Sequence, residues 1–311
     1  MLHVVDILTS MPLDSVQISG GEPTLVHELP TILQRLRAHI PAVHVYTNAQ
    51  DLSLSMAEAL LTHATDIHVS LDGGTAAVND AIRGVPGAFE KARAGLSLLN
   101  DLALSMRGRG LSHAALGIDT VLVRSNFRSL ETLCLDVVNS FGSLSFLNVG
   151  AAVPSGLAAE PAYAQSELLL EDELEEVRDQ GLTQKLRALS PSLSHLSLSD
   201  NFALLFSPER IAAGQAFTTL MHIEVNADVR IMPTCEGTVG NLLLEPADML
   251  WQRVQQRWQD PFVVQQLSGV QNMQAWAVAA YNLDRYFASQ DTLLRLAARA
   301  APRRSPSVLV S

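Results

Sequence analysis

"QISGGEPTL", residues 17–25, decides the fold. The alternating run "SVQIS" (15–19) reads as a β-strand, stops on two adjacent glycines, and passes through Glu22-Pro23 into the helical spacing of "LVHELPTILQRLRAHI" (25–40). Glycines at a strand end let a ligand approach the main chain closely. Gly20-Gly21 is therefore either a tight strand-to-helix turn or the floor of a binding site.

The same unit recurs downstream. "VHVYTN" (43–48) precedes the helical "LSMAEALLTHA" (54–64), and "DIHVSLDG" (66–73) leads through the loop "NDAIRGVPGAF" to "AFEKARAGLSLLNDLAL" (88–104). "ALGIDTVLV" (115–123) is followed by a helix over "NFRSLETLCLDVVNSF" (126–141) and a last strand in "LSFLNVGAAV" (144–153). Strands joined by helices predict an α/β fold with a parallel sheet, right-handed crossovers and chemistry at the C-terminal strand ends. Pleat alternation puts Gln17, Ser19, His44, Tyr46, Asn48, His68, Ser70 and Asp72 on one face. Val16, Ile18, Val43, Val45, Ile67, Val69 and Leu71 take the other. A sheet apolar toward its helices and polar on the opposite face predicts a binding cavity.

Beyond Pro154-Ser155-Gly156 the pattern changes. An acidic amphipathic helix in "SELLLEDELEEVRDQ" is followed by "MHIEVNADVRIMP" (221–233), which reads as a hairpin turning at Asn226-Ala227-Asp228. The remainder is helical, with a frayed tail.

Composition excludes several classes. The net charge is −11 and Lys91 and Lys185 are the only lysines, so no phosphate-binding patch for nucleic acid is expected. The start has no basic n-region, and the long uncharged run 261–283 is too rich in Gln and Asn for a bilayer. A cytoplasmic location with no membrane partner is the expectation. Two cysteines, Cys134 and Cys235, are too few for a disulfide framework. Cys134 lies on the apolar stripe Leu130, Leu133, Val137 and reads as core.

The series Gly20-Gly21-Glu22-Pro23, Thr47-Asn48, "VSLDG" and "IRGVPGAFEKARAGLSLL" resembles the radical S-adenosylmethionine (radical SAM) enzymes over residues 10 to 150. The resemblance implies a partial (βα)6 TIM-like barrel in which S-adenosylmethionine opens against a [4Fe–4S] cluster. It implies that Gly20, Gly21 and Glu22, turned by Pro23, take the methionine ammonium group, and that Ser70 with nearby polar groups such as Asn48 meets the ribose or carboxylate. Asp72 would orient the loop, and Arg83 would pair with a carboxylate or cap Asp80. No catalytic residue and no metal ligand is assigned.

The family's Cys-x3-Cys-x2-Cys loop is absent, because none of the 19 residues before Gly20 is cysteine. His3 and His27 do not offer the spacing to replace it. The expectation is a barrel missing its first strand, with the sequence beginning at an internal methionine of a longer reading frame. If roughly 300–500 Å² of apolar surface is thereby uncovered, the loss is roughly 8–12 kcal/mol, so the chain is expected to be marginal, prone to edge pairing, or dependent on a protein partner covering the strand edge. "VNADVRIMPTCEGTVGNLLLEPADMLWQ" is similar to the SPASM-like extension of family members that modify peptides, but the further cysteines of an auxiliary cluster are missing.

The expected organisation is a truncated core barrel over 1–156, a helical connector over 157–220, a degenerate SPASM-like extension over 221–300 and a flexible tail over 301–311. The resemblance implies a 5′-deoxyadenosyl radical acting on a substrate, a peptide among the candidates, once the cluster segment is present. Without that segment the chain is expected to be inactive. The alternative is a cluster-less binding or scaffold subunit. A metal-free barrel enzyme using Glu22 or Asp72 as general base has no carboxylate–histidine pair at a supporting spacing.

Overall fold

Residues 2–214 and 220–300 are described by the structure, a computed structural model; the tail expected at 301–311 lies outside them. The chain forms two compact units. One comprises residues up to Ala152 together with Asp172–Asp200, and the other Val153–Glu171 with the residues from Asn201 onward.

The first unit is built on six parallel strands in sequence order: β1 (Ser15–Ile18), β2 (Ala42–Thr47), β3 (Asp66–Ser70), β4 (Ala115–Leu122), β5 (Leu144–Ala151) and β6 (His195–Ser199). It is a partial barrel with β1 and β6 at its edges. The helix-facing residues Val43, Val45, Ile67, Val69, Leu71, Leu116 and Ile118 are wholly buried. Helices Leu29–His39, Leu54–His63 and Ala88–Gly108 cover that face. Each such side chain contributes about 1.5–3 kcal/mol relative to leaving it in water. Among the described residues no helix is long and apolar enough to cross a membrane.

Three expectations change. The stretch 157–220 contains a strand, β6, where only helix was expected. "HLSLS" is short and buries one side chain deeply, Leu196, so its pairing with β5 is settled by packing rather than by local pattern. The loop after β3 contains a helix, Ala76–Arg83, capped by Thr75 and closed by Gly84 in the left-handed region. The single helix expected over 126–141 is broken into short turns of different pitch. Its start is diverted because the Asn126 side chain donates to the carbonyls of Asp72 and Val121 and accepts from Val123 N.

The corner after β1 is held by one carboxylate. Glu22 Oε1 accepts from Thr47 Oγ1 (2.6 Å), Thr24 Oγ1 (2.7 Å) and Thr24 N (3.1 Å), while Oε2 accepts from Asn48 N (2.7 Å). Glu22 thus caps the turn Pro23–Leu25 and ties it to the end of β2. Gly20 has φ +126°, a conformation that requires glycine. Past β2 the chain turns through Ala49 at φ +53°, and the Ala49 carbonyl lies so close to Gly95 that any Cβ there would overlap it.

In the second unit β7 (His222–Ile223) and β8 (Asp228–Arg230) form the expected hairpin, with buried Ala227 at φ +68° in its turn, and β9 (Gly240–Asn241) adds a third antiparallel strand. Helices Ala247–Trp258, Pro261–Leu267, Met273–Phe287 and Gln290–Ala300 follow. Asp284 is 3% exposed and accepts from Glu236 N at 2.8 Å. Burial pushes its carboxyl up from 3.8 to about 6, the Glu236 amide opposing and the Glu236 charge adding to the rise.

Two predictions follow from these contacts. Glu22→Gln would set an amide N–H against the donors that the carboxylate now accepts, an unsatisfied contact that costs about 1–3 kcal/mol. Urea unfolding followed by far-UV circular dichroism should show that loss, and an unchanged midpoint would remove the clasp. For Asp284 the folded pKa is raised, so its contribution is complete below pH 4 and is lost as pH rises through about 6. The wild-type stability should fall by on the order of 2–3 kcal/mol across that window relative to Asp284→Asn. Trp251, Trp258 and Trp276, the only tryptophans, all lie in this unit and report its urea midpoint by fluorescence.

Candidate functional site

The strand register assembles the polar face. Gln17 pairs with His44 and His44 with Asp66; Tyr46 pairs with His68, and His68 with Gly117. One layer further along, Ser70 pairs with Asp119, Asp119 with Asn148 and Asn148 with Ser197. With Thr47 beside Val69, Asn48 and Ser70 stand next to each other at the C-terminal ends of β2 and β3.

The two Gly-Gly pairs differ in what surrounds them. A Cβ on Gly73 would meet Asn79 N at 2.8 Å and one on Gly74 the Leu133 N at 2.6 Å, so that pair is packed by protein. A Cβ on Gly20 or Gly21 would meet nothing within 4 Å. Beside this open corner the Asn48 Oδ1 accepts from Gln50 N, and the Ser70 hydroxyl has no hydrogen-bond partner among the described residues. Gly20, Gly21, Asn48 and Ser70 therefore line one edge, with Glu22 and the buried Pro23 as its frame.

Asp72 and Arg83 hold each other, Arg83 Nε donating to Asp72 Oδ2 at 2.7 Å. Asp72 Oδ1 accepts from Val121 N, its own amide donates to Asn79 Oδ1, and the side chain is nearly inaccessible. Burial pushes the Asp72 carboxyl up against the opposing pull of Arg83 and the Val121 amide. The pair fastens the loop after β3 to the end of β4. The Asp80 carboxylate is occupied by Gly87 N and Phe89 N.

A network that sequence reasoning missed crosses the middle of the sheet. His44 Nδ1 lies 2.8 Å from both Asp66 oxygens, His68 Nε2 is 2.8 Å from Asp66 Oδ1, and His68 Nδ1 is 3.0 Å from Asp119 Oδ1. Asn148 Nδ2 donates to Asp119 Oδ1 and Ser197 Oγ to Asn148 Oδ1, both at 2.9 Å. The His68 ring stacks on Tyr46 at 4.3 Å and tilts against Phe146 at 4.7 Å. Burial opposes a charge on His68, but hydrogen bonds and charge from Asp119 and Asp66 outweigh it and push the ring up to about 9. Asp66 is lowered because the hydrogen bonds from His68 and His44 outweigh its burial. Burial, with Asp119 and Asp66, pushes Tyr46 up to about 12.

The absence of a supporting carboxylate–histidine spacing is thereby corrected. Asp66 and His68 are two apart on one strand and so share a face. Asp119 and Asn148, polar residues alternating within apolar strands, were the signal available for the rest.

The cysteines do not fit an iron–sulfur cluster. Cluster ligation uses convergent thiolates, and this chain has two cysteines, one in each unit. Cys134 is fully buried, which pushes its thiol up. Cys235 is pushed up to about 12 by desolvation and the Asp284 charge.

The Radical SAM superfamily profile matches residues 1–109. The mycofactocin maturase MftC of Mycobacterium tuberculosis is 34% identical over 129 residues, 41% of this chain and 30% of the relative. The pre-heme d1 synthase of Dinoroseobacter shibae is 39% identical over 80 residues, 25% of this chain and 20% of the relative. The matched region thus spans about a third or less of these curated relatives. Streptococcus suis SuiB bound to S-adenosylmethionine superposes with a TM-score of 0.60 at 16% identity, covering 83% of this chain and 58% of SuiB. Native anSMEcpe with bound AdoMet and Cp18Cys peptide gives 0.58 at 13% identity, covering 95% and 90%. These structures share the α/β partial barrel followed by a small antiparallel sheet. Residues 1–109 are thus similar in sequence to the Radical SAM superfamily, and the fold is that of SuiB and anSMEcpe.

Proposed function

We propose that the first unit binds S-adenosylmethionine at the corner Gly20-Gly21-Glu22-Pro23, within a protein that takes part in peptide modification. The observation that carries the reading is the contrast between the open Gly20-Gly21 pair and the packed Gly73-Gly74 pair. Exposed main-chain groups at Gly20 and Gly21 would meet the methionine end, Asn48 and Ser70 the ribose or carboxylate. Asp72 and Arg83 would hold the loop from behind. The peptide class is supported by the names of similar proteins, a maturase and structures bound to a precursor peptide or to the Cp18Cys peptide.

In this superfamily the cluster supplies the electron that cleaves the sulfonium to a 5′-deoxyadenosyl radical. The two cysteines of this chain do not hold that cluster, and no radical step is assigned to its residues. They bind and orient the nucleotide. The cysteine count also favours a second reading, a cluster-less subunit that binds S-adenosylmethionine or its partner protein without catalysis.

Isothermal titration with S-adenosylmethionine tests the corner. Gly21 has an ordinary backbone conformation and open space around its Cβ direction, so Gly21→Val should fold normally while filling the approach path. The binding heat of the wild type is expected to vanish in Gly21→Val, and equal heats would remove the corner from the site. Anaerobic reconstitution with iron and sulfide separates the two readings. The chain of residues 1–311 should show no visible charge-transfer band, and no 5′-deoxyadenosine with dithionite and S-adenosylmethionine. A protein extended upstream through a Cys-x3-Cys-x2-Cys loop gains both if the radical reading is right; iron bound stoichiometrically by the unextended chain would overturn the ligand assignment.

A further inference from the structure

We infer that His44, Asp66 and His68 form a site for one divalent transition-metal ion, held between His44 on β2 and the start and middle of β3. Their ligand atoms, two imidazole nitrogens and a carboxylate oxygen, all lie within 4.8 Å of one another. Ligands bound at ~2.0–2.1 Å around one metal stand roughly 2.9–3.4 Å apart. The observed 2.8 Å contacts of Asp66 with His44 Nδ1 and His68 Nε2 need only small side-chain rotations to admit an ion between them.

The surroundings also suit a ligating histidine, once the ion displaces the proton that His68 Nε2 shares with Asp66. A metal-bound imidazole characteristically donates its other ring N–H to a carboxylate, which fixes the ring and strengthens the ligand. With Nε2 on the metal, His68 Nδ1 donates to Asp119, Asp119 is held by Asn148, and Asn148 by Ser197. Stacking on Tyr46 fixes the ring plane as well. Four strands thus contribute to the orientation of one ligand. His44 and Asp66 retain 25% and 19% side-chain exposure, which leaves an entry path and room for water or substrate at the remaining coordination positions. Two imidazoles and one carboxylate suit zinc, iron(II) or cobalt(II) better than calcium or magnesium, which prefer all-oxygen shells.

The site is separate from the open glycine corner. Asp66 opens β3 and His68 precedes Ser70 by two residues, so the triad lies toward the N-terminal side of the sheet and Gly20-Gly21 beyond the C-terminal end of β1. It uses neither cysteine, and it does not depend on S-adenosylmethionine binding.

The test uses untagged protein of residues 1–311, dialysed against EDTA and titrated at pH 8 with cobalt(II), followed by visible absorption, and with zinc(II), followed by calorimetry. One equivalent of each metal is expected, with ligand-field bands for cobalt. His44→Gln and Asp66→Asn should each weaken binding at least about tenfold. Asp119→Asn, a positioning change, should weaken it and shift the cobalt bands. His27→Gln, at an exposed position, and Cys235→Ser should bind like the wild type. Far-UV circular dichroism identifies variants that fold, and His44→Gln, on a partly exposed side chain, decides the matter if Asp66→Asn does not. No stoichiometric uptake by folded wild type would overturn the proposal, as would uptake unchanged in His44→Gln. Loss of binding in Cys235→Ser would do the same, since the metal would then sit on the thiol.

Discussion

Alternation along parallel strands is the constraint from which the first unit follows. Each strand sends one residue toward the helices and the next toward the inside of the partial barrel, and here the two sets differ in chemistry throughout. From β2 to β4 the outward set is mostly aliphatic and buried, which ties the sheet to its helices. The inward set is polar and half-buried, and groups removed from bulk water need partners. Asp66 and His68 bond to each other along β3, and the rest of the network is drawn across the sheet. His44, Asp66, His68, Asp119, Asn148 and Ser197 are thereby joined from β2 to β6.

The C-terminal strand ends obey a different requirement. There the chain must reverse into a helix while leaving main-chain groups accessible. Glu22 meets it by gathering four hydrogen bonds at one carboxylate, so the glycines before it need no protein contact of their own. Asp72 and Arg83 perform the equivalent task after β3, but there the adjacent glycines serve close packing of the chain against itself. One corner is open and the next closed, although both read Gly-Gly.

The second unit solves its packing with a small antiparallel sheet and the helices around it, at the cost of burying a carboxylate. Asp284 sits among Glu236, Arg230 and Cys235, and its raised pKa records how poorly that environment hydrates a negative charge. Both thiols of the chain are likewise held in their neutral form, so neither is poised to act as a nucleophile or a ligand.

Local pattern was enough to determine five of the six strands, much of the helix-facing core and part of the polar face, because period-two alternation and the glycine-proline corner are written within single segments. It also placed the hairpin turn at 226–228, where backbone requirements are local. Three things were decided only by tertiary structure. "HLSLS" became β6 because β5 offered an unpaired edge, not because five weakly apolar residues demand a strand. Arg83 chose Asp72 over Asp80 because the Asp80 oxygens were already taken by Gly87 and Phe89 amides. And the triad of His44, Asp66 and His68 came together through the register of β2 and β3, with Asp119 and Asn148 brought in from segments some fifty to eighty residues further along. Register is a property of strand pairs, so no single strand contains the information that aligns such side chains.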